Sequence, residues 1–210
     1  MQKNRIFCIA LLMAVFSINA MGQDDDSGGG DIGVSVEFTA SPFENTQALL
    51  TPGFVRAKYM FGPIGARLAF MASVNNNETD PTTVLHSGYF DFRPGGEYHF
   101  RMGKASPYAG IEVIIQNQSS NKNSTSELGV AGAINENGAK QAFFGFGGGL
   151  FTGVDYYWGE NFYFGIEVGV EVISRSYKSV EMAGQEIIEP TNDFMVNTNL
   201  SNAFKFGFTF

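Results

Sequence analysis

Residues 161–175 read NFYFGIEVGVEVISR, and they alternate without a break over most of their length. Phe162, Phe164, Ile166, Val168, Val170 and Val172 are apolar. Tyr163, Gly165, Glu167, Gly169 and Glu171, which lie between them, are small, charged or amphipathic. A period of two means a strand whose two faces meet different environments. If the apolar face points inward, the chain is a soluble sheet; if it points outward, the chain is a membrane barrel. Everything the sequence implies about function follows from that choice.

The same alternation recurs along the chain. Ile32–Ala40 sets Val34, Val36 and Phe38 against Ser35, Glu37 and Thr39. Gly53–Phe61 sets Val55, Ala57, Tyr59 and Phe61 against Phe54, Arg56, Lys58 and Met60. Ile64–Ser73 sets Leu68 and Phe70 against Arg67 and Ala69. Ser87–Phe100 sets Phe90, Phe92, Tyr98 and Phe100 against Tyr89, Asp91, Arg93, Glu97 and His99, with a bulge or bend expected at Pro94-Gly95-Gly96. Pro107–Asn117, Lys140–Tyr157 and Asn199–Phe210 complete the set, with Glu112, Asp155 and Lys205 on their polar faces. Eight strands are therefore predicted. Gly62-Pro63, residues 101–106 and Trp158-Gly159-Glu160 are short turns. Polar runs such as Val74–Leu85, Gln118–Ala139 and Ser176–Asn197 are long loops. This alternation of long and short connections describes an up-and-down meander.

Ahead of the strands, Lys3 and Arg5 precede the apolar run Ile6–Phe16, and small residues follow up to Ala20-Met21-Gly22. That order predicts a signal peptide over residues 1–22, cleaved after Gly22 or, as second choice, after Ala20. The apolar run is shorter than the ~20 residues a spanning helix needs. Residues 23–31, QDDDSGGGD, read as a flexible acidic linker rather than a calcium loop, and residues 32–210 as one barrel domain. Cys8 is the only cysteine. Its loss with the signal would exclude disulfides, thiolate chemistry and cysteine-based metal sites. With 21 acidic against 13 basic residues, nucleic acid is not an expected partner. No metal or cofactor motif is present.

Three features turn the apolar face outward. Charged residues make up only 16% of the chain, where soluble domains have ~25%, and the many glycines suit a crowded barrel interior better than a solvated face. Aromatics gather near the short turns (Tyr59, Phe61, Tyr98, Phe100, Tyr156, Tyr157, Trp158, Phe162, Tyr163) and again toward the long loops (Phe54, Tyr89, Phe90, Phe143, Phe144), as two girdles would. Finally, the acids of the polar face (Glu37, Asp91, Glu97, Glu112, Asp155, Glu167, Glu171) are nearly balanced by Arg56, Lys58, Arg67, Arg93 and Lys205. Adjacent strands predict Glu37 between Arg56 and Lys205, Glu167 facing Lys205, and Arg93 beside Glu112. Glu171 has no predicted partner, which makes it the first place to look for function.

With its leader, eight alternating strands and C-terminal FKFGFTF, the chain resembles the small outer-membrane β-barrels of Gram-negative bacteria, of the OmpA transmembrane-domain and OmpX types. The resemblance covers residues 32–210. It implies an all-β, closed, eight-stranded antiparallel up-and-down transmembrane barrel in the cell outer membrane. Its partners would be outer-membrane lipid and lipopolysaccharide, and during biogenesis the barrel-assembly machinery, which would read Phe210 as part of its signal.

Three functional classes follow. A structural or surface-interaction protein with a closed polar lumen is the expected one. The lumen charge cluster Glu37, Arg56, Arg67, Arg93, Glu112, Glu167, Glu171 and Lys205 is its site, and any loop ligand is unknown. A narrow channel or transporter is the second, although eight strands leave an interior only wide enough for side chains. The third is a lipid A-modifying enzyme. Such enzymes use His and Ser, yet His86 and Ser87 are adjacent on a strand and point to opposite faces, and His99 reads as an interior polar group. No catalytic residue is therefore expected.

Overall fold

The computed structural model describes residues 32–40, 52–100, 102–124, 128–159, 161–199 and 204–210. The expected signal peptide and acidic linker lie outside the described residues. Among them are twelve strands: β1 (Ile32–Ala40), β2 (Pro52–Phe61), β3 (Ile64–Asp80), β4 (Thr83–His99), β5 (Ala105–Ser124), β6 (Val130–Ala131), β7 (Phe143–Tyr157), β8 (Phe162–Tyr177), β9 (Val180–Met182), β10 (Gln185–Ile188), β11 (Thr191–Asn199) and β12 (Phe204–Thr209).

Antiparallel pairing runs β1-β2-β3-β4-β5-β7-β8-β12 and returns to β1, where Val36 faces Phe208 and Phe38 faces Phe206. Eight strands thus form a barrel-like ring. β11 and β12 pair with successive parts of β8 and act as one stave. The tight ends fall at Gly62, Gly103 and Gly159, each with φ between 63° and 89°, a conformation glycine adopts at no steric cost.

The polar runs expected as loops are instead largely strand. β3 continues through Asn75, Asn76 and Asn77 to Asp80, and β4 returns from Thr83, with Asn76 opposite His86. Above the apolar band both faces meet water, so the two-period hydrophobic signal disappears while the backbone ladder goes on. The two later runs fold together: β6 joins β5 to β9, and β9 pairs with β10. Val130, Ala133 and Val180 are buried there, with Met182 and Ile188 packed against them. Ile188 supplies this small core, whereas Ile187 is exposed.

At Pro94-Gly95-Gly96, where a bulge or bend is expected, no register shift forms, although pairing with β5 lapses at Arg93 and Pro94. Pairing of β4 with β3 runs through Arg93, Pro94 and Gly95 without a shift, and the β5 register is the same on either side. Pro94 lacks a donor, but it occupies its ladder position without displacing its neighbours.

Alternation sorts the side chains as the pattern requires. Leu68, Val113, Leu150, Ile166, Val168, Val170 and Val172 are 41–66% exposed on the outside of the ring. At the short-turn end, Tyr59–Phe61 and Tyr98–Phe100 make outward edge contacts at 4.5 and 5.0 Å between ring centroids, and Trp158 packs on Phe164. Several residues assigned to the girdles belong inside instead: Phe54, Phe143 and Tyr163 are buried, and the half-buried Tyr89 donates to Asp91. Each shares its strand face with an interior charge, and that face outweighs its closeness to a strand end.

Candidate functional site in the lumen

The ring interior is filled with charge. Among the described residues Glu37, Asp91, Glu97, Glu112, Asp155, Glu167 and Glu171 are buried, together with Arg56, Lys58, Arg67, Arg93 and Lys205. Each lies on the polar face of its strand, so the backbone alternation alone directs it inward.

The ion pairs join these residues into one network. At the short-turn end, Lys205 Nζ lies 2.7 Å from Asp155 and 3.5 Å from Glu37. Lys58 Nζ reaches Glu97 at 2.6 Å, Glu37 at 2.8 Å and Asp155 at 3.4 Å. Arg56 links this group upward, 3.8 Å from Glu37 and 2.8 Å from Glu167. Arg67 then bridges Glu167 at 2.8 Å and Glu112 at 2.5 Å, with Glu97 at 3.7 Å. Arg93 closes the top, forked onto Asp91 at 2.9 Å for both Nε and Nη2, 3.2 Å from Glu112 and paired with Glu171.

Two sequence expectations are corrected. Glu167 forms its ion pairs with Arg56 and Arg67, while Lys205 pairs with Asp155 and Glu37; Lys205 stands opposite Gly165, two positions from Glu167. Glu171, expected to be alone, is held by Arg93. The Glu167–Arg67 contact crosses the interior between strands that are not neighbours, and adjacent-strand reasoning cannot reach it. Glu37 does lie within ion-pair distance of both Arg56 and Lys205, and Arg93 of Glu112.

Neutral groups complete the packing. Tyr163 donates to Glu37 at 2.6 Å and Tyr108 donates to Glu167 at 2.8 Å. The Arg67 guanidinium lies 3.3 Å from the centre of the Phe151 ring, and Lys205 Nζ 4.1 Å from that of Tyr108. Glycines make room for these large groups. A methyl at Gly207 would lie 2.1 Å from Tyr163, one at Gly153 2.3 Å from the Tyr108 oxygen, and one at Gly110 2.3 Å from Phe151. Interior glycine is therefore the complement of interior aromatic on the next strand, which is the crowding a small barrel imposes.

His99 is buried, stacked on Tyr108, with Nδ1 2.7 Å from Ser106 Oγ and Nε2 2.7 Å from Glu97. The order is that of nucleophile, base and acid. Yet Ser106 is only 3% exposed, and Glu97 is already committed to Lys58. The linkage is a buried polar cluster at the short-turn end. His86 faces outward beside Asn76, at 2.9 Å. Phe210 is half exposed, and its backbone N–H donates to Val34 at the ring's seam.

Sequence reasoning missed Tyr108, Tyr163 and Gln116 as partners of the charges, and it left Arg175 unassigned. The signal was parity: Arg175 shares its face with Glu167 and Glu171, and Gln116 shares its face with Glu112. No helix among the described residues is long and apolar enough to cross a membrane, a fact without bearing on strands. Among the described residues no group of His, Cys, Asp or Glu could hold a metal ion.

The family model for the outer membrane protein beta-barrel domain matches residues 8–209. No curated protein matched the chain.

Proposed function

Because the chain belongs to the outer membrane protein beta-barrel domain family, we propose that it is a closed transmembrane barrel with a structural or surface-interaction role and a sealed lumen. The observation that carries this reading is the continuous network from Lys205 to Arg93. Among the described residues, each of its five cations touches at least two carboxylates. Ions passing through would have to break buried pairs that have little water to replace them.

Export by a signal peptide over residues 1–22 and assembly through Phe210 belong to the same reading. The folded unit of β6, β9 and β10 stands at the end where function would lie, since exposed connections on a rigid scaffold commonly carry binding. No catalytic or cofactor role is assigned.

Planar-bilayer recording tests the sealed lumen. The purified barrel is expected to show no steady, large conductance, and a persistent open level would overturn the reading. Fractionation tests the membrane assignment. Recovery only with detergent, together with heat-modifiable gel mobility, is expected; recovery in soluble extract would refute it.

A further inference from the structure

At the long-loop end the interior changes character. One cross-strand row carries Asp91, Gln116, Gly145, Arg175 and Asp193, from β4, β5, β7, β8 and β11. The next row toward the mouth carries Tyr89, Gln118, Phe143 and Tyr177. Arg175 is a sixth inward cation, half-buried rather than buried. Unlike the five below it, among the described residues it has no carboxylate at ion-pair distance.

Its guanidinium is nonetheless fixed. Nε and Nη2 both donate to Gln116 Oε1, at 3.3 and 3.1 Å, and Gln116 Nε2 in turn donates to Asp91 at 2.9 Å. Gly145, lying between them, makes this contact possible: a methyl there would sit 3.2 Å from Gln116 Cβ and 3.4 Å from Arg175 Cγ. Phe143 supports the guanidinium from one side at 4.7 Å, and Tyr177 and Tyr89 flank Phe143 at 5.5 and 6.5 Å. Such a group is oriented in advance, charged and partly open to solvent, backed by the buried Phe143 and bordered by the half-buried Tyr89 and Tyr177, which is how small-anion sites are built.

We propose that Arg175 and the aromatic row Tyr89, Phe143 and Tyr177 form a receptor at the outer mouth for a small monocarboxylate with a flat apolar body. The floor selects the charge. Asp91 lies in the same row, with Asp193 opposite Arg175 on β11, and Glu112 and Glu171 lie deeper, sharing Arg93 with Asp91. A dianionic phosphate would meet more repulsion from these carboxylates than a single carboxylate. The rings select the body. This proposal deepens the surface-interaction reading and rests on it: the ligand is held at the mouth and does not pass through.

The test uses the whole barrel in nanodiscs with 15N-labelled arginine, titrated with sodium benzoate, benzyl alcohol and phenyl phosphate. Benzoate is expected to shift the Arg175 Nε resonance saturably. Benzyl alcohol should leave it unmoved, and phenyl phosphate should bind at least about tenfold more weakly. By calorimetry, Arg175→Gln should abolish benzoate binding. Gly145→Val should weaken it about tenfold by pushing Arg175 off Gln116 while keeping the charge. Equal binding of the alcohol or the phosphate, or undiminished binding in Arg175→Gln, overturns the proposal. The wild-type titration decides even if a variant does not fold. Conductance of the same preparation reports separately on the sealed lumen, so failure of either reading can be told from failure of the other.

Discussion

The two ends of the interior solve the same problem in opposite ways. From Lys205 to Arg93 every cation is buried against carboxylates, and the rings there serve the charges as hydrogen-bond donors or stacking partners. One row above, Arg175 is half-open and rests on a neutral amide and an aromatic ring. Depth in the ring explains the difference. A buried charge without an opposite partner is costly, whereas a charge near the mouth keeps part of its hydration. The lower region is therefore a buried core of paired charges, and the upper region keeps a charge partly in solvent.

The largest effect should come from breaking the core. Glu167 is shared by Arg56 and Arg67, both at 2.8 Å. Glu167→Ala leaves Arg56 with Glu37 at 3.8 Å and deprives Arg67 of one partner. A loss of about 3–5 kcal/mol is expected, the cost of stranding buried charge. Urea unfolding in lipid vesicles, followed by gel mobility, measures it. A loss below about 1 kcal/mol, the size of an exposed pair, would mean that water reaches the network.

Next comes the outer face, which separates membrane from solution. Val168 lies outside the ring, opposite Thr152, midway along β8. Val168→Lys should destabilise the barrel in vesicles by about 2–4 kcal/mol if that face meets lipid near the bilayer midplane. A neutral outcome would place the face in water.

A smaller effect is expected where core packing rather than charge is disturbed. Gly207→Ala puts a methyl against the Tyr163 ring, which is buried and tied to Glu37 and Ser35. The ring cannot swing away without giving up those bonds, so about 1–3 kcal/mol should be lost. Gly207→Ala combined with Tyr163→Ala should recover part of that loss, because the clash goes with the ring. An additive pair would show that the two residues do not touch.

How much of this was legible in the sequence depends on the range of the interaction. Alternation is local, so Glu37, Arg56, Arg67, Arg93, Glu112, Glu167, Glu171 and Lys205 could all be placed on the inward face from parity alone. Neighbouring-strand pairs, such as Arg93 with Glu112, could be read as well. Contacts across the interior could not: Arg67 with Glu167 and Arg93 with Glu171 depend on how the ring brings opposite walls together. Nor could the strand extensions at Asn75–Glu78, where polarity on both faces hides the ladder. Phe54, Phe143 and Tyr163 were misread because chemical type was weighed above parity. In a ring this narrow, an aromatic beside an interior glycine is the packing solution rather than an exception.

The smallest effect should be at the mouth, and it completes the contrast with the core. Arg175→Met keeps an unbranched apolar stem, and it removes the guanidinium that lies over Phe143, a charge with no carboxylate at ion-pair distance among the described residues. Gln116 loses two donors but retains Asp91 as acceptor for its own amide. A half-exposed site of this kind should cost less than about 1 kcal/mol. Arg93→Met, one row deeper, takes from Asp91, Glu112 and Glu171 the guanidinium they share and should cost several times more. Parallel urea titrations of the two variants make the comparison. Similar losses would mean that Arg175 belongs to the structural core; a loss confined to Arg93→Met would mean that its fixed guanidinium is maintained for something other than stability.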